Sequence, residues 1–148
     1  MHTKQTKKRA MVYVDFENIL ELLVKSGHDP LSINFFRVIQ ERIASEANII
    51  NMIVFSNFEG KPIIKNVQTH LRNLGIETRH CSNNGKNSSD LEMTVAVLRD
   101  LYKNPHIDLF VLVSSDRDII PLLKEIKFEN KLAYLFSTKN GFNPTVIQ

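Results

Sequence analysis

The chain has 148 residues, 43% apolar and 24% charged, a composition that suits one globular domain and makes disorder or low complexity a poor explanation. Nineteen Lys and Arg against 16 Asp and Glu leave a formal charge of +3, which permits a polyanionic partner without demanding one. A single cysteine, Cys81, excludes an internal disulfide framework and a Cys-rich zinc motif and suits a reducing compartment, so the cytoplasm is expected.

Residues 1–9 read as a basic flexible arm, with Lys4, Lys7, Lys8 and Arg9 able to touch nucleic acid phosphates. No apolar run there or elsewhere approaches membrane-spanning length, so no membrane contact is expected. Residues 10–148 form the expected domain. MVYVD at 11–15 is a short apolar strand, and Ile19, Leu20, Leu23 and Val24 place a helix over 17–26 that Gly27 can stop. A second helix starts near Pro30 and Ser32 and carries Phe36, Ile39, Ile43 and Ala47, after which IINMIVFS at 49–56 reads as a buried strand.

Pro62, Ile63, Val67, Leu71 and Leu74 mark a third helix ended by Gly75, followed by the strand IETRHC at 76–81. After the polar loop SNNGKN, Ser88 or Ser89 caps a helix over 90–103 whose apolar residues face more than one side, so it is expected to be well buried. LFVLVS at 109–114 has the continuous apolar run of a central parallel strand. A helix over 118–128 tolerates Pro121 in its first turn, KLAYLF at 131–136 is a fifth strand, and residues 137–148 read as turn and tail.

Strands and helices alternating five times predict a parallel sheet with right-handed crossovers and helices on both faces. With strand order 3-2-1-4-5, the first and fourth strands are neighbours at the switch point, where open α/β sheets bind ligands. Asp15, Asp116 and Asp118 would meet there, with Asp90 in the first turn of the fourth helix. Carboxylates converging in one crevice repel one another, and a hard divalent cation is the usual remedy. Oxygen ligands without a cysteine cluster or spaced histidines favour Mg²⁺ or Mn²⁺ over zinc, and phosphodiester hydrolysis fits such a centre. Asp15 is the first choice as ligand and Asp116 its partner, while Asp90 and Asp118 could hold a second ion or metal-bound waters.

Asn18, about one turn after Asp15, is a candidate for substrate positioning, and Glu17 is a secondary one. Lys61, Lys65 and Arg72 recur at helical spacing and could track a phosphate backbone, as a solvated helix face would also explain. Arg79 and Lys86 flank the loop before Asp90 and could contact substrate; Arg117, between two acids, could simply neutralise them. Phe16 and Phe58 are the only candidates for a base-stacking platform. An aspartate after a strand or at a helix start is also a common cap, the plain alternative for Asp90 and Asp118.

The segments VYVDFENI, KNSSDLEMTVAVL and VLVSSDRDIIPLL resemble, in order and separation, the three acidic motifs of the NYN domain family, a branch of the PIN-like nucleases. The resemblance covers roughly residues 10–136 and implies a three-layer α/β/α PIN-like fold with a five-stranded parallel sheet of order 3-2-1-4-5. It also implies an acidic cluster that binds Mg²⁺ or Mn²⁺ for RNA cleavage. The matching positions are Asp15 and Asn18, Asp90, and Asp116 and Asp118. Three departures stand out: Ala96 replaces a frequent further aspartate, Ser115 a glycine and Ile119 a phenylalanine. Loss of that acid bears on two-metal occupancy and leaves a one-metal nuclease open, and against the family pattern the domain over 10–148 looks truncated at its C-terminal end, as a fragment or a trimmed variant would. The expectation is an RNA endonuclease, with a homodimer or further domains open; the alternative is an inactive RNA-binding or protein-interaction module.

Overall fold

The computed structural model describes residues 7–25, 27, 35–58, 62–81, 88–139 and 143–147. Its strands are β1 (Lys8–Asp15), β2 (Ala47–Ser56), β3 (Glu77–His80), β4 (Leu109–Val113), β5 (Leu132–Lys139) and β6 (Asn143–Ile147). Its α-helices are α1 (Phe16–Lys25), α2 (Phe35–Ala44), α3 (Pro62–Asn73), α4 (Ser88–Lys103) and α5 (Ile120–Phe128), the last entered through a 3₁₀ turn at Arg117–Ile119. The sheet order is β3-β2-β1-β4-β5-β6. All pairings are parallel except the last, so the expected five-stranded 3-2-1-4-5 sheet is present, and β6 adds an antiparallel edge.

Period-two alternation divides the core into two layers. Ala10, Val12 and Val14 of β1 face the side covered by α1, α2 and α3, packing with Ile19, Phe36, Ile39 and Leu71. Met11 and Tyr13 face the opposite side, where α4 contributes Met93 and Val97 and α5 contributes Leu122 and Ile126. The three helices up to β3 therefore lie on one face, and the crossover to β4 returns on the other. That change of face puts β1 beside β4, with Val14 opposite Val113.

The helix stops follow local chemistry. Gly75, at φ 75°, ends α3 in the left-handed region, and the Ile76 N–H donates to the Leu71 carbonyl at 3.0 Å. Asn130, at φ 62°, does the same for α5, with the Lys131 N–H donating to Ile126 O at 3.2 Å.

Three expectations are corrected, and a fourth falls outside the described residues. Lys8 and Arg9 are not part of a flexible arm but begin β1, paired with Ala47 and Asn48; residues 1–6 lie outside the described set. The segment expected as turn and tail extends β5 to Lys139 and forms β6, because an apolar edge strand gains ladder bonds from a returning chain. The second helix is described only from Phe35, its expected start near Pro30 falling outside the described residues. Helix α4 is amphipathic rather than enclosed: Leu91 is 66% and Val95 47% exposed, since α4 packs against the sheet along one side only.

Tyr13 ties β1 to α4. Its ring is fully buried, stacked on Phe110, and its hydroxyl donates to Asp100 Oδ2 at 2.5 Å; burial raises the phenol well above its usual range. Tyr13→Phe removes the donor to Asp100 Oδ2, leaving that carboxylate the Asn104 amide at Oδ1, and is expected to cost about 1.5–3 kcal/mol, as for hydrogen bonds to charged groups. Urea denaturation of the two proteins measures it, and an unchanged midpoint would deny the bond a stabilising role.

Candidate metal and acid cleft

Asp15 is the last residue of β1, one step past the Val14–Val113 pairing, and it is fully buried. A carboxyl group removed from water needs donors. Ser89, in the first turn of α4, donates its hydroxyl to Asp15 Oδ1 at 3.1 Å. Ser89 was expected as a helix cap; instead it serves the strand end opposite. The motif NSSD carried no signal for that bond, because only the crossover places α4's first turn over β1.

Asp90 follows in the same turn and hydrogen-bonds to both Asp15 and Asp116. Burial, those two hydrogen bonds and the neighbouring charges push its carboxyl up to about 9. The shift favours the protonated form of Asp90 beside two other acids. Asp116 moves the other way, below the usual carboxylate range, chiefly because the Asp118 backbone N–H donates to its Oδ1 at 2.9 Å and further because Asp90 hydrogen-bonds to it. The Asp116 N–H in turn donates to the buried Ser114 Oγ at 3.1 Å. Asp116, not Asp118, is thus the side chain that caps this turn.

Asp90, Asp116 and Asp118 share a cavity of ≈ 210 Å³ with Leu91, Thr94 and Ile119, and Asp118 stands at its exposed rim. Asp15, Asp90 and Asp116 are thus joined directly, and Asp118 lines the same opening. Among the described residues no three His, Cys, Asp or Glu side chains form a ready-made metal cage. The donor chemistry nevertheless fits a hard cation: the carboxyls of Asp90, Asp15 and Asp116 raise one another's need for positive charge, which an oxygen-preferring cation supplies. Mg²⁺ commonly binds through one or two carboxylates and keeps several waters, which matches so sparse a set.

The remaining candidates divide. Arg79, on β3, lies in register with Phe55, itself opposite Asp15; its guanidinium sits 5.3 Å from the Phe55 ring centre and 2.8 Å from Glu77 Oε2. It borders a groove of ≈ 530 Å³ with Leu91, Glu92, Val95, Ala96 and Arg99, and Leu91 also lines the acid cavity. Arg99 was missed, although Leu91, Val95 and Arg99 stand four residues apart on one helical face. Arg72 is exposed in the last turn of α3, just before β3 begins, so it sits at the end of the sheet away from Asp15. Lys61 and Lys86 lie outside the described residues, as do the side chains of Asn18, Lys65 and Arg117.

Glu17 is structural: its Oε1 accepts the Asn57 N–H at 3.0 Å. Phe16 and Phe58 are buried and cannot be a stacking platform; the first ring packs 5.5 Å from Phe36. Cys81 is fully buried and burial pushes its thiol up to about 12, which leaves it unreactive. Ala96 stands six residues beyond Asp90 on α4, about two-thirds of a turn away from it, and faces the Arg79 groove. An acid there would lie outside the Asp90–Asp116 cavity.

The proton on Asp90 has a sign that can be measured. Its folded value is raised, so between the ordinary 3.8 and about 9 the folded chain holds a proton that the unfolded chain releases, and stability falls as pH rises through that window. Melting temperatures in chelator are expected to decline across it, and Asp90→Asn to flatten the decline. Superimposable pH profiles for the two proteins would refute the shared proton.

The comparisons with known proteins bear on the family and the fold. The NYN domain family model matches residues 9–148. A solved crystal structure of a protein of unknown function from Vibrio parahaemolyticus superposes with a TM-score of 0.72 at 18% identity, covering 93% of this chain and 85% of that one, which shows a shared fold. A search of curated proteins found no match. NYN domains are generally RNA nuclease domains. With its motifs in order along the chain and its fold of the same PIN-like type, this chain belongs to the NYN domain family.

Proposed function

We propose that the chain is a metal-dependent ribonuclease that cuts RNA internally, using Mg²⁺ or Mn²⁺ held at the acid cleft. The observation that carries this reading is Asp90, hydrogen-bonded to Asp15 and Asp116 at the junction of β1 and β4. Three acids are brought together there at a stability cost, a pattern typical of functional sites. The family's general role as RNA nucleases supports the choice of substrate.

Asp15 and Asp116 are the proposed metal ligands; Asp90 and Asp118 complete the metal site by orienting bound water. A bound cation supplies Lewis acidity toward a phosphate oxygen and toward the attacking water. Ser89 holds the Asp15 carboxyl in one orientation, and Asp116 is fixed by the Asp118 and Ser114 contacts. Asn18, at the start of α1 beside Asp15, is proposed to position the phosphate, and Arg79 and Lys86 to hold the flanking strand. An open cleft needs no chain end, which favours internal cutting. The single, buried cysteine suits a cytoplasmic setting.

The test is cleavage of fluorophore-labelled RNA with Mg²⁺ or Mn²⁺, with chelator and Asp15→Asn as controls. Wild type is expected to cut, and both controls to remain at background while retaining the fold. Full activity in Asp15→Asn rejects its role. Ser89→Ala is expected to lose about ten- to a hundredfold in metal affinity or activity, the usual effect of removing a group that orients a ligand. A second reading, an inactive RNA-binding module, draws on Ala96 and on the sparse ligand set; RNA binding without any metal-dependent cutting would select it.

A further inference from the structure

At the opposite end of the sheet, where the parallel strands begin, Lys7, Lys8, Arg9, His106, Asp108 and Lys131 line an open groove of ≈ 560 Å³. The heads of β1, β4 and β5 build it. Arg9 and Asp108 are bonded twice, Arg9 N–H to Asp108 Oδ2 at 2.9 Å and Asp108 N–H to Arg9 O at 2.9 Å, and the Leu132 N–H donates to Asp108 O at 3.0 Å. The cations thus stand on a rigid rim.

Four permanent cations face one carboxylate here, an excess equal to the formal +3 of the whole chain. The rest of the sequence is therefore neutral as a sum, and the groove's excess alone equals the chain's net charge. Among the described residues none of the four makes an ion pair. The ammonium groups of Lys7 and Lys131 donate to the carbonyls of Ala44 at 3.4 Å and Pro105 at 2.8 Å, contacts that leave their charge uncompensated. Lys7, Lys8, Arg9 and His106 are exposed.

We propose that this groove is a second RNA contact, holding the phosphate backbone of a strand at a distance from the bond in the acid cleft. The identity of the polyanion rests on the ribonuclease reading. Seven steps of β1 separate Lys8 from Asp15, about 23 Å at ~3.3 Å each. A short oligonucleotide can therefore occupy one end at a time, and a long one reaches both. Phosphate contacts of this kind add affinity without sequence preference, and linking two sites on one strand multiplies their effect.

The experiment is fluorescence anisotropy in chelator with two labelled RNAs, a tetranucleotide and a strand several times longer, titrated across salt concentration. The test protein is Lys7→Gln/Lys8→Gln/Lys131→Gln; the control removes as many exposed charges elsewhere, Arg37→Gln/Lys124→Gln/Lys127→Gln. For the long RNA the groove variant is expected to bind about tenfold more weakly, with a log–log salt slope smaller by about 2. The tetranucleotide, held at one end at a time, loses less than the long RNA, and the control shifts little. An unchanged slope, an equal loss in the control, a loss on the tetranucleotide as large as that on the long RNA, or no RNA binding by wild type overturns the proposal. Should the triple variant fail to fold by circular dichroism, Lys7→Gln/Lys8→Gln gives the same reading at a smaller amplitude. Binding that depends on the groove without any cleavage would retain the groove and remove the nuclease reading; cleavage with an unaffected groove variant does the reverse.

Discussion

The crowding of acids where β1 and β4 end is the constraint around which this molecule is arranged. Asp15 is fully buried, and an unsupported carboxyl group there would be costly. Its support comes from the first turn of α4, through the Ser89 hydroxyl and the Asp90 carboxyl. That turn also carries the positive end of the helix dipole, which favours nearby negative charge. The N-terminus of α4 therefore has to arrive over the end of β1, and Tyr13 with Asp100 pins the same strand and helix further along.

The two ends of the sheet are chemically opposite. Acids gather where the strands finish, and an unpaired basic excess gathers where they start. In a parallel sheet every strand start lies on one edge and every strand finish on the other, so a few residues placed at strand boundaries sum into two separated fields. The exposed face of α4 runs alongside, and its Leu91 separates the acid cavity from the groove that holds Arg79 and Arg99.

Local chemistry was legible where it acts over a few residues. Gly75 as a stop, Pro121 in a first helical turn and the unbroken apolar run of β4 each follow from backbone constraint or from burial on both faces. Patterns that depend on what packs nearby were harder. The apolar residues around α4 suggested enclosure, yet only one side meets the sheet. Phe16 and Phe58 lie beside polar motifs in sequence but turn into the core. The C-terminal residues have weak strand character of their own and become β6 through pairing with β5.

The ordered acidic motifs and the alternation of strands and helices were sufficient, from the sequence by itself, to establish the family and the 3-2-1-4-5 sheet, because side-chain periodicity and crossover handedness leave few alternatives. Tertiary structure alone decided how the acids relate to one another. Asp15 and Asp90 are 75 positions apart, and whether they share a proton depends on sub-ångström placement of α4 over β1. The service of Ser89 to a distant strand and the gathering of Lys7, Lys8 and Arg9 with Lys131 on one rim have the same origin. Each is a contact between segments remote in sequence, and such contacts leave no periodic trace along the chain.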